Sequence, residues 1–563
     1  MSFVLFRLRP YFLSLAAFIF LVSYVLPNHY LPWVAAYQDF AVFMAMLFLF
    51  CLSFSCVSRF YFPMYFTLFF AMAFLPVIYF FCGVVYFFGD AWVSVIYLFC
   101  FSGALFIGYN FSYSYSLRSN FLDVFFVVLL IGAVISVWIA LGQWLGFRGG
   151  LWIADMPPGG RPFANFAQPN NLATFLCMSI AAAWYFYERK VIRGLSSTIL
   201  VLFLIFGVVL TQSRTPWVGC IAVAVFWLWK APGYSARLPI YALGIWLGVY
   251  VGLVIALPYI AELLYLSVGS LIDRAQALHR WPLWVQLWNA VLEGPIWGYG
   301  WNQVSVAQVT ISQTYPVTLM VEHSHNILLD LLIWNGPLLG GLIICVVAAW
   351  LVCLGIQARS VESVFCLIAV GFVLVHGMLE FPLEYAFFLF PVGLLLGLVA
   401  GEQRSYQEWV VPRGLLGMVL VLSFGMFVWV WYEYRVIEED HRLMRFETAR
   451  IGDLKAEQDA PDVVLLTQLR EFIRFARTPA TEGMSPEQLE WMRTVAHRYP
   501  YPPSLFRYSL ALALNGQDVQ SSEQLAILRA LHGDKIFDEG MQALVQMQDK
   551  HPQLQGVLQL IER

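Results

Sequence analysis

The chain has 563 residues, of which 60% are hydrophobic and 12% charged, with a formal net charge of −3. A soluble globular protein carries about twice that share of charged residues. Composition therefore excludes an ordinary soluble domain and points to a polytopic membrane protein.

Charge is unevenly spread. The 432 residues before Glu433 hold 17 Lys/Arg and 15 Asp/Glu, whereas the 131 from Glu433 onward hold 15 and 20, a net charge of −5 and a soluble-like tail. None of the nine cysteines lies after Cys366. They have neither metal-ligand spacing with histidines nor a disulfide framework, and read as buried structural thiols.

The chain begins with two arginines, Arg7 and Arg9, and an apolar run. No small-residue cleavage site follows Leu26-Pro27, so this is expected to be an uncleaved first span rather than a signal peptide. About 20 apolar residues cross a bilayer as a helix. Thirteen such stretches run near 11–27, 39–57, 60–80, 91–111, 121–142, 170–187, 195–212, 215–230, 238–258, 337–356, 361–380, 385–401 and 414–432. With the N-terminus in the cytoplasm, twelve Lys/Arg, including Arg189, Lys190 and Arg193, fall on the cytoplasmic side. Arg148, Arg161, Arg214, Arg274 and Arg280 make five on the other. That imbalance sets the orientation and puts the tail outside, in the periplasm of a Gram-negative cell.

Three external segments stand out. The first, Gly146 to Asn171, is rich in Gly and Pro and ends in Arg161-Pro162-Phe163 and Gln168-Pro169-Asn170-Asn171. The second is the turn Gln212-Ser213-Arg214-Thr215-Pro216. The third is a long loop from Tyr259 to Gly336, with an aromatic, amphipathic stretch Trp281 to Trp288 expected to lie along the membrane interface. A loop this long is usually functional. In the tail, Ser485 is a predicted N-cap for a helix starting at Pro486. Tyr499-Pro500-Tyr501-Pro502-Pro503-Ser504 breaks the chain, and Leu505 to Leu514 forms a second helix ending at Asn515-Gly516. Helices of this size suggest a tetratricopeptide-like packing or a small bundle that covers the membrane part.

Chemistry-bearing residues sit at the outer ends of the spans. Glu322-His323-Ser324-His325-Asn326 precedes an apolar helical run. Histidine is the side chain best suited to moving a proton near neutral pH. His325 abuts the helix and is the better placed base. His323, two residues away, diverges from it on a helix, and Asn326 has the alternative role of helix cap. Arg214 stands in a tight turn on the side that topology disfavours, and a guanidinium fork suits phosphate oxygens. Arg280, after His279, and Arg161 are further anion-binding candidates, although Arg280 has the alternative of snorkelling beside the tryptophans. Glu380 and Glu384 bracket another outer turn, and His376 reads as a core histidine. The chain shows no nucleotide loop, zinc motif or nucleophilic serine elbow, and nothing suggests nucleic-acid binding. A base with cationic forks fits displacement of a phosphate leaving group from a lipid carrier.

At these residues the chain resembles the O-antigen ligase/polymerase superfamily, and within it the bacterial protein O-oligosaccharyltransferases of the PglL (pilin glycosylation) type. The pieces that carry the likeness are Arg161-Pro162-Phe163, Gln168 to Ala173, Ser213-Arg214-Thr215 and Arg280 with Trp284. They continue with Pro295, Gly298-Tyr299-Gly300, His325-Asn326 with Gly336, and Glu380 to Ala386. Glu384 departs from the aromatic or histidine expected there, which bears on the acceptor side. The resemblance implies glycan transfer from undecaprenyl-pyrophosphate to a serine or threonine of a periplasmic protein such as pilin, with no metal or nucleotide cofactor. It maps His325 to the essential histidine of the large periplasmic loop, and Arg214 and Arg280 to the pyrophosphate; the residues themselves suggest His325 as the catalytic base, helped by Glu322 or His323. Gln168, Asn170, Asn326 and Glu380 are further site candidates.

The expected fold is an all-α polytopic membrane bundle of about 13 transmembrane helices, N-terminus in and C-terminus out. Residues 1–432 form the transmembrane domain, with a periplasmic catalytic loop at 259–336, and 433–563 a periplasmic helical domain. Rival readings are an O-antigen ligase or polymerase acting on lipid A-core or glycan acceptors, a transporter or flippase, and a scaffold whose tail recruits partners. A transporter places charges near the bilayer midplane and shows repeated halves, neither of which this chain displays.

Overall fold

The computed structural model describes residues 2–147, 149–157, 159–230, 236–266, 280–404, 407–449, 451 and 459–562. Arg148, Arg274 and His279 of the sequence reading, and the side chain of Arg7, lie outside the described residues.

The chain is a helical, polytopic membrane protein. Among the described residues, seven helices are long and apolar enough to cross a bilayer: Ala36–Cys56, Phe88–Phe111, Tyr115–Trp144, Gly194–Thr211, Ile240–Leu263, Ile327–Gln357 and Arg413–Thr448. Shorter apolar helical stretches cover Arg9–Val25, Phe66–Phe81, Thr215–Lys230, Val361–Gly377 and Ala386–Glu402, and Pro169–Glu188 is helical as well. Only 11% of the apolar window of Ile240–Leu263 and of Arg413–Thr448 is buried by protein. A helix apolar on all sides and left this bare needs lipid around it.

The expected span at 60–80 is not one helix. Phe60–Pro63 is a strand that pairs antiparallel with Glu408–Val411, Phe60 opposite Val411 and Pro63 opposite Glu408. Two short helices follow, Phe66–Met72 and Leu75–Phe81. Aromatic residues favour the extended state, and Asn110 reinforces it by accepting from Tyr61 N (2.8 Å) and donating to Tyr61 O (3.0 Å). The carboxylate of Glu408 accepts the hydroxyls of Tyr109 and Tyr113. This small ribbon is the one β element among the described residues.

The chain gathers into two compact units. The first comprises Met1–Met72, Tyr97–Arg274 and Ala348–Trp429. At its centre the helix Pro169–Glu188 is buried along nearly its whole length. Tyr24 packs on Phe175 (4.5 Å between ring centroids) and on Phe387 (6.4 Å). Gly393, Gly397 and Gly401 form a small-residue ridge at a spacing of four. A Cβ on Gly397 would stand 2.2 Å from the Leu105 carbonyl oxygen, and one on Gly401 would stand 2.3 Å from that of Tyr109. Small residues at this spacing let membrane helices approach backbone to backbone.

The second unit comprises Ala73–Ile96, Ala275–Val347 and Val430–Arg563. The long loop is partly helical, with Arg280–Glu293 and Val304–Ile311. The helix that follows, Ile327–Gln357, is broken at Gly336, whose φ of 73° and ψ of 170° are non-helical. There the segment around Gly298 docks. Tyr299 N donates to Ile333 O (2.8 Å), Gly300 N to Trp334 O (3.0 Å), and Trp301 stacks on Trp334 at 4.7 Å. The tail helices are Thr467–Arg477, Pro486–Arg498, Pro502–Leu514, Asp518–His532, Asp534–Gln548 and Leu554–Glu562. Ser485 caps Pro486–Arg498 in a reciprocal capping box with Gln488. Val309 of the loop sits in the tail's core among Leu505, Leu525 and Leu528, and Phe87 sits in a second cluster with Met492, Val495 and Tyr508.

Candidate functional site

The candidate residues divide by unit. Arg161, Gln168, Asn170, Arg214 and Glu380 belong to the first; Arg280, Glu322, His323, His325 and Asn326 belong to the second.

In the first unit the Pro/Gly-rich segment before Pro169 is held by two buried amides. Gln143 Oε1 accepts from Phe163 N (3.0 Å) and Ala164 N (2.8 Å), and its Nε2 donates to Ala164 O and Ala154 O. Asn165 Nδ2 donates to Val25 O (2.6 Å) and Trp152 O (2.9 Å). Such bonds replace the backbone pairing that an irregular segment lacks. The segment thus delivers Arg161 to the turn after Gly194–Thr211, where its Nη1 donates to Gln212 O at 3.4 Å. Gln212 has a left-handed φ of 49° and reverses the chain. Ser213, buried, donates its hydroxyl to Asn170 Oδ1 (2.7 Å) and accepts from Thr215 N (3.3 Å). Asn170 Nδ2 in turn donates to Glu380 Oε1 at 2.9 Å. Arg161, Asn170, Glu380 and the turn that carries the exposed Arg214 are therefore brought together. Gln168 occupies the N-cap position of Pro169–Glu188 without a side-chain cap bond. His376 is fully buried, its Nδ1 2.9 Å from the Thr174 hydroxyl, as suits a core histidine. Burial pushes the Glu384 carboxyl up to about 7.

In the second unit Asn326 is the cap of the helix it precedes, its Oδ1 accepting from Leu328 N (3.0 Å) and Leu329 N (3.3 Å). The cap role weighed for Asn326 is the one its side chain performs. His325, just before it, takes a left-handed φ of 58°, costly for a residue with a Cβ and sustained only where neighbours impose it. Those neighbours are visible. Ser324 N donates to the buried carboxylate of Asp330 (2.8 Å), Ser324 Oγ to Asn326 O (2.8 Å), and Trp284 Nε1 to Ser324 O (2.8 Å). Arg280 opens the helix that bears Trp284, one turn earlier and on the same face. His323 is held below the ordinary imidazole range, chiefly by burial, against the opposing pull of the Asp330 and Glu322 carboxylates. Its ring is therefore neutral at pH 7. The exposed Glu322 accepts the Tyr501 hydroxyl at 2.5 Å.

Sequence reasoning passed over Asp330, Ser324 and Tyr501 as members of this constellation. An acid in the first turn of the helix after His325 was a local signal for Asp330. Tyr501 lies 179 residues from Glu322, and no local pattern links them. Among the described residues, no three His, Cys, Asp or Glu are grouped to hold a metal ion.

Three family descriptions match along the chain in succession: "Protein glycosylation ligase" at residues 162–187, "O-Antigen ligase" at 199–345, and "Virulence factor membrane-bound polymerase, C-terminal" at 364–544. The first covers the segment around Asn170, the second Arg214, Arg280 and His325, and the third Glu380 and most of the tail. A "General O-oligosaccharyltransferase" of Acinetobacter baylyi is 28% identical over 540 residues, 93% of each chain. A "ComP-specific O-oligosaccharyltransferase" of the same species is 26% identical over 404 residues, 71% of this chain and 73% of that protein. No solved structure matches. Together these matches make the chain similar to the O-antigen ligase family. Within that family its likeness is to the O-oligosaccharyltransferases of the PglL type, which are enzymes.

Proposed function

We propose that this enzyme transfers a glycan en bloc from undecaprenyl-pyrophosphate to serine or threonine hydroxyls of periplasmic proteins such as pilin. It works in the bacterial inner membrane, N-terminus in the cytoplasm, with its active site and its 433–563 region facing the periplasm and about thirteen spans around it. The observation that carries the reading is the left-handed His325, pinned through Ser324 by Asp330 and Trp284 at the mouth of a capped helix. A strained backbone held this firmly is typical of a working residue.

His325 takes the proton from the acceptor hydroxyl, helped by Glu322 or by the neutral His323. The hydroxyl oxygen attacks the anomeric carbon as the bond to the pyrophosphate oxygen breaks, which inverts the sugar. Arg214, Arg280 and Arg161 stabilise the charge that develops on the departing pyrophosphate. Asn170 and Glu380 hold the Arg214 turn, and Asn326 holds the helix behind His325. A cavity of about 500 Å³, lined by apolar side chains such as Trp184, Val201, Ile205, Val208 and Tyr250, reaches Pro216, two residues past Arg214. It suits a polyprenyl chain whose head lies at that turn. No cofactor is required.

The test is transfer from a lipid-linked glycan to a pilin-like acceptor, read by intact mass. His325→Ala and Arg214→Ala are expected to abolish it; full activity in both overturns the mechanism. A second reading, with a lipid A-core or glycan acceptor, is favoured by the match of 364–544 to a polymerase region. Glycan mass on lipopolysaccharide but not on protein would establish it.

A further inference from the structure

In the sequence, Tyr499-Pro500-Tyr501-Pro502-Pro503 reads only as a break between two tail helices. In the structure it is a rigid mount. Pro502 and Pro503 open the helix Pro502–Leu514, where their missing N–H groups cost nothing. Tyr501 N donates to Tyr499 O at 2.7 Å, and Pro500 O lies 2.8 Å from His532 Nε2. The Tyr501 ring packs edge-on against Phe472 (5.9 Å) and stacks on Tyr499 (6.3 Å). From this mount the hydroxyl reaches Glu322 Oε1.

A second route links the same turn to the same segment. Arg498 ends the preceding helix, and its guanidinium makes two 2.9 Å bonds to Asp90, both side chains buried. The Arg498 carbonyl accepts from Ser305 Oγ at 2.8 Å. Ser305 shares a helical turn with Gln308, whose Oε1 accepts from Val321 N (3.0 Å) and whose Nε2 donates to Leu319 O (2.7 Å). Val321 is the residue before Glu322. The tail therefore grips the Glu322–His325 segment by its side chain and by its backbone. A region that served only to recruit an acceptor would not need either grip.

We infer that the tail is a working part of the catalytic loop, and that Tyr501 is a positioning residue that holds Glu322, and with it the His323–His325 turn, for glycan transfer. The inference rests on the assignment of that turn as the base. A hydroxyl bonded to a carboxylate is a charge-assisted contact of fixed direction. Without it the exposed Glu322 is free to rotate, and small misplacements near a reacting centre cost large factors in rate.

The experiment uses the full chain in nanodiscs with lipid-linked donor and an acceptor protein. Tyr501→Phe keeps the ring and its packing and removes only the hydroxyl. It is expected to lower kcat about tenfold while leaving the KM for acceptor and the melting temperature unchanged. Glu322→Gln is expected to lower kcat, and Tyr501→Phe added to it to lower kcat no further. Unchanged kcat in Tyr501→Phe, a loss confined to acceptor KM, or full additivity with Glu322→Gln overturns the inference. His325→Ala is assayed alongside: if it retains activity, the base assignment fails, whereas wild-type turnover in Tyr501→Phe beside an inactive His325→Ala sinks the positioning role alone.

Discussion

The indole N–H of Trp284 donates to the Ser324 carbonyl oxygen at 2.8 Å, which ties the helix beginning at Arg280 to the residue beside His325. Arg280 precedes Trp284 by one turn, so the segments that carry Arg280 and His325 share one frame. Trp284→Phe keeps an aromatic ring but leaves the carbonyl unpaired, a loss of about 1–3 kcal/mol. The expected outcome is a lower melting temperature and a drop in kcat for glycan transfer. Trp288→Phe, one turn on and 48% exposed, is expected to change neither. Equal effects from the two substitutions would reduce Trp284 to a packing residue.

Gly336 and Gly298 make a second joint. A Cβ on Gly336 would stand 2.0 Å from the Ile296 carbonyl oxygen, and one on Gly298 would stand 2.4 Å from Gly336 N. Both residues also have positive φ, 73° and 82°. Gly336→Ala therefore combines backbone strain of about 1–3 kcal/mol with a clash against main chain that cannot rotate away. It is expected to yield little folded protein by size-exclusion chromatography in detergent. Gly341→Ala, in the same helix with nothing within 4 Å of the added atom, is expected to behave as wild type.

Residues whose signal is local were legible in the sequence. The Ser485 cap, the breaks at Tyr499 and Asn515, and the helices behind most of the apolar runs follow from hydropathy and capping chemistry that a short window contains. The run at 60–80 misled because Phe and Tyr are apolar enough for a span yet favour strands, and the deciding partner, Glu408–Val411, lies some 350 residues away. The motif pieces near Asn170, Ser213 and Glu380 were each visible, but their hydrogen-bonded chain is a property of tertiary packing. Asp90 stands 408 residues from Arg498. Nothing about a single acid at a helix start announces such a partner.

His497 contributes to the pH dependence of the second unit, alongside His532, whose imidazole burial also holds down. Burial holds the His497 imidazole down to about 4, with its Nε2 3.0 Å from Gln524 Oε1. The unfolded chain takes that proton near pH 6.5 and the folded chain only near 4, so the unfolded state binds more protons across this window. Stability is then full above about pH 6.5 and falls as pH drops towards 4, by roughly 2–3 kcal/mol. His323, also held below its ordinary value, adds a loss of the same sign. Thermal unfolding from pH 7 to 4 is expected to show this slope, and His497→Gln, which can still donate to Gln524, is expected to flatten part of it. An unchanged slope in the variant would assign the acid sensitivity to other groups.

A chain of hydrogen bonds runs from Glu380 through Asn170 to Ser213. Ser213 Oγ both donates to Asn170 Oδ1 and accepts from Thr215 N, so one hydroxyl holds the turn that presents Arg214. Ser213→Ala strands a buried amide oxygen and a backbone N–H at a cost of about 1–3 kcal/mol, and Arg214 loses its fixed presentation. Because Arg214 is assigned to the donor pyrophosphate, the KM for lipid-linked donor is expected to rise several-fold while the KM for acceptor stays put. Ser213→Thr retains the hydroxyl and is expected to recover most of the donor affinity if its methyl is accommodated. Asn170→Asp replaces the donor to Glu380 with a second carboxylate at 2.9 Å, and like charges at that distance repel strongly. It is expected to be the more damaging change, in both stability and transfer. A fall in melting temperature with unaltered donor KM in Ser213→Ala would mean that this polar chain braces the helices and leaves Arg214 indifferent to it.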